Sequence, residues 1–513
     1  MALYNPTEAD YAIINQSVRN INVRVELLDE HYSVIDRIDG VLISDNYTVD
    51  RSSDVRRTAS LVFHVADDRF LVSEEKYVWF GKYMRLFYGL YSYVTHDYIW
   101  YRMGVYLWDQ ASYQYDATMN NLTLNCLDLM AGFTESYGGQ LPGQSTKILA
   151  GSNIRNAMIS TITQLGNVTD YRIDPMEGEV PYDLEYGCGT YPYQIITDLR
   201  DLYVGWETFF DDTQFVCQQY SIYNNDPIVL SADVFDPLVI SETTTTNFAS
   251  IKNVTEIWGA NVKASFTATE VVYADSNYQL TIDAKDSTLV LGDVIVFTAD
   301  ANCADSVSVS INSGSPIRVY NASMQPLKAD DIMANVSYAI KYLGDDIGFE
   351  FIGKSSDLYQ VSAINKLVSK APTEITVVFN SIEMSMYERD LIDEPSKNIT
   401  YTIDPASPFA VDKIGERRRV LSDGEYAMVY SNDLASQRAV YETWQTTALL
   451  DTVSLTMVDI PWLDVNQKVQ YRSLRTGETK TYRVNRKSGT IAGGTMTLEL
   501  SVFQPTYSWN RTN

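Results

Sequence analysis

Apolar and polar residues alternate with a period of two along much of this chain, in short runs closed by turn residues. Val23, Val25 and Leu27 alternate with Arg24 and Glu26, and Asp29-Glu30-His31 supplies the turn that follows. Tyr32–Ile38, Leu42–Val49, Ser60–Val65, Tyr83–Tyr93, Tyr98–Trp108 and Asn121–Cys126 continue the pattern, broken by Gly40 and by Thr95-His96-Asp97. Alternation bounded by turn residues predicts half-buried strands. So many strands at short spacing predict a barrel or closed sheet. Residues 1–20 read as an arm in which Thr7–Ile14 forms a short docking helix.

The period changes to that of a helix between residues 150 and 220. Ile154, Met158, Ile162 and Leu165 form one stripe, with Ser152 or Asn153 as cap and Gly166 as stop. Ile195, Ile196, Leu199 and Leu202 form a second helix, closed by Gly205. Trp206–Asp211 and Gln214–Gln218 read as a hairpin about Asp212-Thr213, giving a small α+β module. Strand character returns at Val254, Ile257 and Val262, and again at Leu289–Phe297, Val307–Ile311, Ile317–Tyr320 and Phe349–Ile352. The segment 330–342 is open to helix or strand.

The last quarter has the most ordered pattern. Leu434, Tyr441, Trp444 and Ala448 share one helical stripe, with Ser431 or Asn432 as cap. The period then drops to two through Val453, Leu455 and Met457. The corner Ile460-Pro461-Trp462-Leu463-Asp464-Val465-Asn466 interrupts it, because proline cannot join a ladder. Val469 and Tyr471, a Thr476-Gly477 turn, Tyr482 and Val484, then Met496, Leu498, Leu500 and Val502 complete a ribbon of strands. Trp462 and Trp444 are the expected structural anchors, with Pro461 setting the corner.

Composition narrows the function. A chain of 513 residues predicts about three to five domains. The formal net charge of −27 argues against specific nucleic-acid binding, which needs clustered Lys and Arg. It serves solubility, or a wall to which passing DNA does not adhere. The 37 tyrosines suit many strands and interfaces. No run reaches the length of a membrane span, and the first residues lack the pattern of a signal peptide, so assembly in a cytoplasm is expected.

Candidate chemistry is sparse. Cys126, Cys188, Cys217 and Cys303 lie far apart without a CxxC pair, so they read as reduced, mostly buried thiols and not as a zinc site or disulfide framework. His31, His64 and His96 show no metal-binding spacing, and His64 reads as a packed residue. Asp211-Asp212 and Asp345-Asp346 could bind calcium or serve glycoside hydrolysis, but both flank turns where Asp is favoured for backbone reasons. Arg417-Arg418-Arg419 reads as a salt-bridge edge between subunits. No catalytic, cofactor or metal site is expected, and the protein is not expected to be an enzyme.

Several motifs resemble the baseplate hub proteins of phage tails, the XkdQ/YqbQ-like group. They are the Ser431-Asn432 opening into an Ala435-Ser-Gln-Arg-Ala439 helix, the Ile460–Asn466 corner, and the Gly493-Gly494-Thr-Met-Thr-Leu-Glu-Leu500 strand. Arg56-Arg57-Thr-Ala-Ser-Leu-Val-Phe63 and Gly104-Val-Tyr-Leu-Trp108 before Asn121-Leu-Thr-Leu124 resemble the first tube domain of that group. The resemblance implies a mainly β fold with α+β parts. It implies an arm at 1–20, a first tube-like β-barrel domain at 21–145, an α+β module at 146–245, and a second tube-like domain from 246–267 with 400–513. Residues 268–399 would be an inserted β-rich domain that folds separately and projects away. Its Ser310–Ile317 and Pro326–Ile332 runs resemble a small β module of tail-tip and fibre proteins.

The function so implied is structural. A homotrimeric ring would join the tail tube or a distal tail protein to a central spike or fibre, meet the tape measure protein, and leave a channel for DNA ejection. The protein would belong to the virion tail after assembly in the bacterial cytoplasm. The alternative is a tail-tip adhesin or cell-wall hydrolase acting through the inserted domain, with Tyr278, Tyr320 and Tyr359 as exposed aromatics.

Overall fold

The fold comes from a computed structural model. It describes residues 6–503 apart from 40–41, 65–70, 117–119, 142, 144–145, 150, 177, 181–183, 204, 220–226, 264, 283–288, 290–291, 322–324, 346, 355–357, 371–398, 430–431 and 449–450. Gly40, Asp346 and residues 371–398 of the expected insertion therefore lie outside the described residues. The architecture is mainly β, in several sheets and one closed barrel. The chain divides into two compact units, one of Met1–Ala249 with Ala448–Pro505, the other built on Ser250–Thr447.

A 13-stranded sheet is the largest element of the first unit. From one edge, its main path runs through Val239–Thr246, Asp451–Val458, Thr495–Val502, Thr479–Thr490, Leu42–Asp50, Arg57–His64, Asn120–Asp128, Asp97–Tyr115, Tyr83–Ser92, Ile21–Leu28 and Val34–Asp39. Ile228–Leu230 and Lys468–Arg472 pair with each other beside this path. The early and late strands meet where Asp50, Val49, Thr48 and Tyr47 pair with Arg486, Lys487, Ser488 and Gly489. One apolar core follows the whole sheet, from Val25, Leu61 and Leu86 to Leu455, Val484 and Leu498. The two sets of strands expected as separate barrels are thus joined edge to edge. Period-two alternation states which face of a strand is buried, but not which strand lies beside it.

The arm helix is Glu8–Ile14. Thr7 and Asp10 form a capping box, and Ile13 and Ile14 are buried. The α+β module carries helices Ile154–Gly166 and Pro192–Asp201, beside a sheet of Trp206–Asp211, Gln214–Gln219 and Tyr171–Ile173. Asn153 caps the first helix, but Gly166 does not stop it. The left-handed residue is Asn167, with φ 52°. Gly166 stays helical because the Phe133 ring fills the place of its side chain: a Cβ there would lie 2.0 Å from that ring.

The second unit holds a four-stranded sheet and the barrel. The sheet orders Ile399–Ile403, Leu358–Val368, Val254–Lys263 and Arg418–Leu421. Helix Asn432–Ala448 buries Leu434, Tyr441 and Trp444, and Thr443 donates to Thr255 of the sheet at 2.9 Å. The strand at 254–263 therefore pairs with 418–421, inside the 400–513 range grouped with it above, and also with 358–368, inside the segment expected as an insertion. Phe266–Lys354 supplies a closed barrel ordered Phe266–Ala274, Asn277–Ile282, Ser308–Ile311, Ile317–Tyr320, Phe349–Lys354, Ser337–Tyr342 and Val294–Thr298. The ambiguous segment 330–342 ends as strand Ser337–Tyr342. Tyr278 is not an exposed aromatic but part of the barrel core, its hydroxyl donating to the Ala301 carbonyl at 2.6 Å. Strand parity turns it inward, and the backbone oxygen satisfies its polar end.

Candidate functional site

The most chemically loaded region lies in the first unit, around the corner after strand Asp451–Val458. Ile460, Trp462, Leu463 and Val465 are all buried, and Pro461 is buried with them. Tyr11 of the arm helix meets Trp462 edge-on, with ring centroids 5.7 Å apart. Its hydroxyl donates to the Val229 carbonyl at 2.9 Å. The corner thus ties the arm, the segment before Val239 and the late strands into one core. Trp444 is fully buried in the other unit and plays no part here.

Charges surround this corner in paired groups, most of them buried. Arg57 donates its backbone N–H to Asp128 at 2.7 Å, and its guanidinium to the Phe210 carbonyl and Asp464, each at 2.5 Å. Arg56 pairs with Glu207, which also accepts from Gln218 at 2.8 Å and from Asn466 at 2.5 Å. Asp212 takes Arg85 at 2.9 Å and Arg102 at 3.2 Å. Arg57 and Arg85 come from the early strands and Arg56 directly precedes one, whereas Glu207, Phe210 and Asp212 come from the hairpin of the α+β module. These pairs therefore dock the module on the sheet. Burial works against the Asp464 carboxylate, but Arg57 and Arg56 outweigh it and hold its pKa below the ordinary range. Burial pushes the Asp128 and Asp211 carboxyls up, with Arg57 only partly offsetting it.

A cavity of 520 Å³ opens here, lined among others by Trp100, Asp211, Thr213, Trp462, Asp464 and Lys487. The carboxylate pair read from the sequence is split by its surroundings. Both line the cavity, but Asp212 is spent on two arginines; the turn between them and Gln214 is a hairpin in which Asp212 has φ 55°. Among the described residues no three His, Cys, Asp or Glu side chains gather as metal ligands. His64 is exposed and not packed, because Phe63 before it takes the inward position of strand Arg57–His64. His31 and His96 are exposed at turns. Cys126, Cys217 and Cys303 are buried free thiols, and Cys188 is exposed. The arginine triplet is used inside the chain: Arg418 pairs with Glu256 and Glu416, each at 2.6 Å, and Arg419 with Glu442 at 3.0 Å. Among the described residues no helix is long and apolar enough to cross a membrane.

Sequence reasoning missed the buried cations. Lys487 is 1% exposed, yet it lies in a strand whose alternation points it outward. A bulge between Val484 and Arg486 inserts one residue and reverses the parity that follows. Arg56 and Arg57 had a signal, since two arginines open an apolar strand, but no partner could be read from the sequence.

Residues 406–507 match a family described as a domain of unknown function, DUF5048. The match takes in helix Asn432–Ala448, the corner and the late strands, but less than half of the chain. No curated protein matches the chain. Solved structures that resemble it include phage tail proteins. They include the 43 kDa tail protein of prophage MuSo2 from Shewanella oneidensis, at 9% identity and TM-score 0.47, covering 95% of this chain and 99% of that one. A tail protein from Neisseria meningitidis gives 8% identity and TM-score 0.47, covering 94% and 99%. The prophage tail protein gp18 from Listeria monocytogenes gives 9% identity and TM-score 0.39, covering 94% of each.

Proposed function

We propose that this chain is a structural protein of the virion: a baseplate or tail-tip hub, three copies of which close a ring around a channel for DNA. One observation supports this above the rest. The early strands at 21–128 and the late strands at 451–502 lie side by side in one sheet, joined at Val49 and Lys487. One chain then offers two neighbouring strand sets, and three chains offer six. Such a ring can meet a sixfold tube on one side and a threefold spike or fibre on the other. The strong negative charge suits a channel wall that DNA passes without binding. The role is non-enzymatic. Its partners are the tail tube or a distal tail protein, a central spike or fibre, and the tape measure protein. Assembly takes place in the host cytoplasm before release in the particle.

Light scattering and electron microscopy of the purified chain, followed by antibody labelling of whole particles, test this. Threefold rings and label at the distal end of the tail are expected. A chain that stays monomeric at every concentration and labels no tail tip would overturn it.

A further inference from the structure

Lys487 and Asp459 form a buried pair in the large sheet, with side chains 1% and 0% exposed. Nζ lies 3.2 Å from Oδ1. It also donates to the carbonyls of Ile460, at 2.7 Å, and Pro461, at 3.3 Å. The Tyr47 phenol donates to Oδ2 at 2.5 Å. Oδ1 accepts no hydrogen bond among the described residues, so its approach to Nζ is an ion-pair contact without hydrogen-bond alignment.

Burial disfavours the charge on Lys487 and lowers its ammonium from the ordinary value. Transfer of one proton from Nζ to Oδ1 leaves a neutral amine and a neutral acid. The amine keeps its two remaining N–H groups on the Ile460 and Pro461 carbonyls. Its lone pair is then free beside the Asp459 carboxyl group, whose Oδ1 lies 3.2 Å from Nζ. A nucleophile held beside an acyl group has the high effective concentration that makes condensation feasible.

We propose that Lys487 and Asp459 condense into an intramolecular isopeptide bond. Nζ attacks Cγ, and the Tyr47 phenol stabilises the negative charge that develops on Oδ2. A second proton passes from Nζ to Oδ1, the Cγ–Oδ1 bond breaks, and one water leaves. Both protons of that water come from Nζ, and no oxidant or cofactor takes part. The amide staples strand Thr479–Thr490 to the end of strand Asp451–Val458, across the intervening strand Thr495–Val502. It sits where Lys487 also pairs with Val49 of the early strands. The inference does not depend on the role in a tail.

The mass of the purified, denatured full-length chain decides it. The chain is expected to be lighter than its sequence by one water, and digestion is expected to yield one joined peptide carrying both residues. Lys487→Arg is expected at full sequence mass. Asp459→Asn retains an acyl carbon and is expected to be lighter than its own sequence by one ammonia. A wild-type chain at full sequence mass would overturn the proposal, as would a water loss that survives Lys487→Arg.

Discussion

The large sheet and the closed barrel are both built of strands, yet they are held together differently. The sheet gathers strands from both ends of the chain: Lys487 pairs with Val49, and Tyr47 hydrogen-bonds to Asp459. Around those joins and the docked module, the first unit buries Arg56, Arg57, Asp128, Glu207, Asp459 and Lys487. The barrel uses one continuous run, Phe266–Lys354, around Tyr278, Ile295, Phe297, Tyr338 and Phe349. Its buried polar side chains among the described residues are neutral, Asn277 and Ser310. Local pairing needs little beyond packing to find its register. Distant segments have many wrong partners, and an unpaired buried charge costs several kcal/mol, roughly 3–5. The buried pairs at the joins therefore select the right partner strand more than they add stability.

The largest expected effects come from cutting one anchor on each side. Trp462→Ala is expected to destabilise the large sheet by about 3–5 kcal/mol and leave the barrel transition in place. Phe297→Ala should do the reverse, with a loss of similar size confined to the barrel. Thermal unfolding followed by calorimetry checks both. A single transition that moves as one in both variants would erase the distinction drawn above.

Acid should separate the two regions next. Asp464 has its folded pKa held below the unfolded value by Arg57 and Arg56. Its contribution is fully present above the unfolded pKa and is lost as pH falls through the folded one. Asp128 and Asp211 are raised, so their contribution has the opposite sign: it is present in acid and lost as pH rises through their folded pKa. The Asp464 contribution is therefore isolated by comparing wild type with Asp464→Asn in denaturant melts below the ordinary carboxylate range. The acid loss in the large sheet is expected to be shallower in the variant, with the barrel unchanged. Parallel curves for the two proteins would show that this pair carries no pH dependence.

How much of this was legible in the sequence follows the same division. The corner at Ile460–Asn466, the helix with Trp444 and the hairpin at Asp212 are local patterns, and they could be read directly. The pairing of 254–263 with 358–368 is set by hydrogen bonds between segments about a hundred residues apart, which alternation does not encode. Lys487 was hidden by the bulge after Val484. Tyr278 was misread because a tyrosine on a strand is compatible with either face until a partner for its hydroxyl is known.

A smaller effect is expected at the docked module. Gly166→Ala would ordinarily stabilise a helix by about 1 kcal/mol. Here the new Cβ meets the Phe133 ring, which stacks on Phe210 of the hairpin. Overpacking of that kind typically costs about 1–3 kcal/mol. A net loss in chemical denaturation is expected, and a net gain would mean that Phe133 moves aside freely.

The smallest effect should follow from the largest deletion. Lys263 and Leu358 are register partners in the four-stranded sheet, so the strands that flank the barrel already end side by side. A short Gly/Ser turn can therefore replace the barrel without stretching its neighbours. Closing a shorter loop also costs less entropy, by only about 0.6 kcal/mol per halving of length. In the excised chain the barrel transition should vanish, while the large sheet should melt within about 0.5 kcal/mol of its original stability, as expected for a change outside its core. The separated Phe266–Lys354 segment, carrying its own closed ladder and aromatic core, should fold alone. Loss of the large sheet's transition on excision would show that the barrel is no self-contained insertion, and that the contrast between local and distant assembly does not hold for this chain.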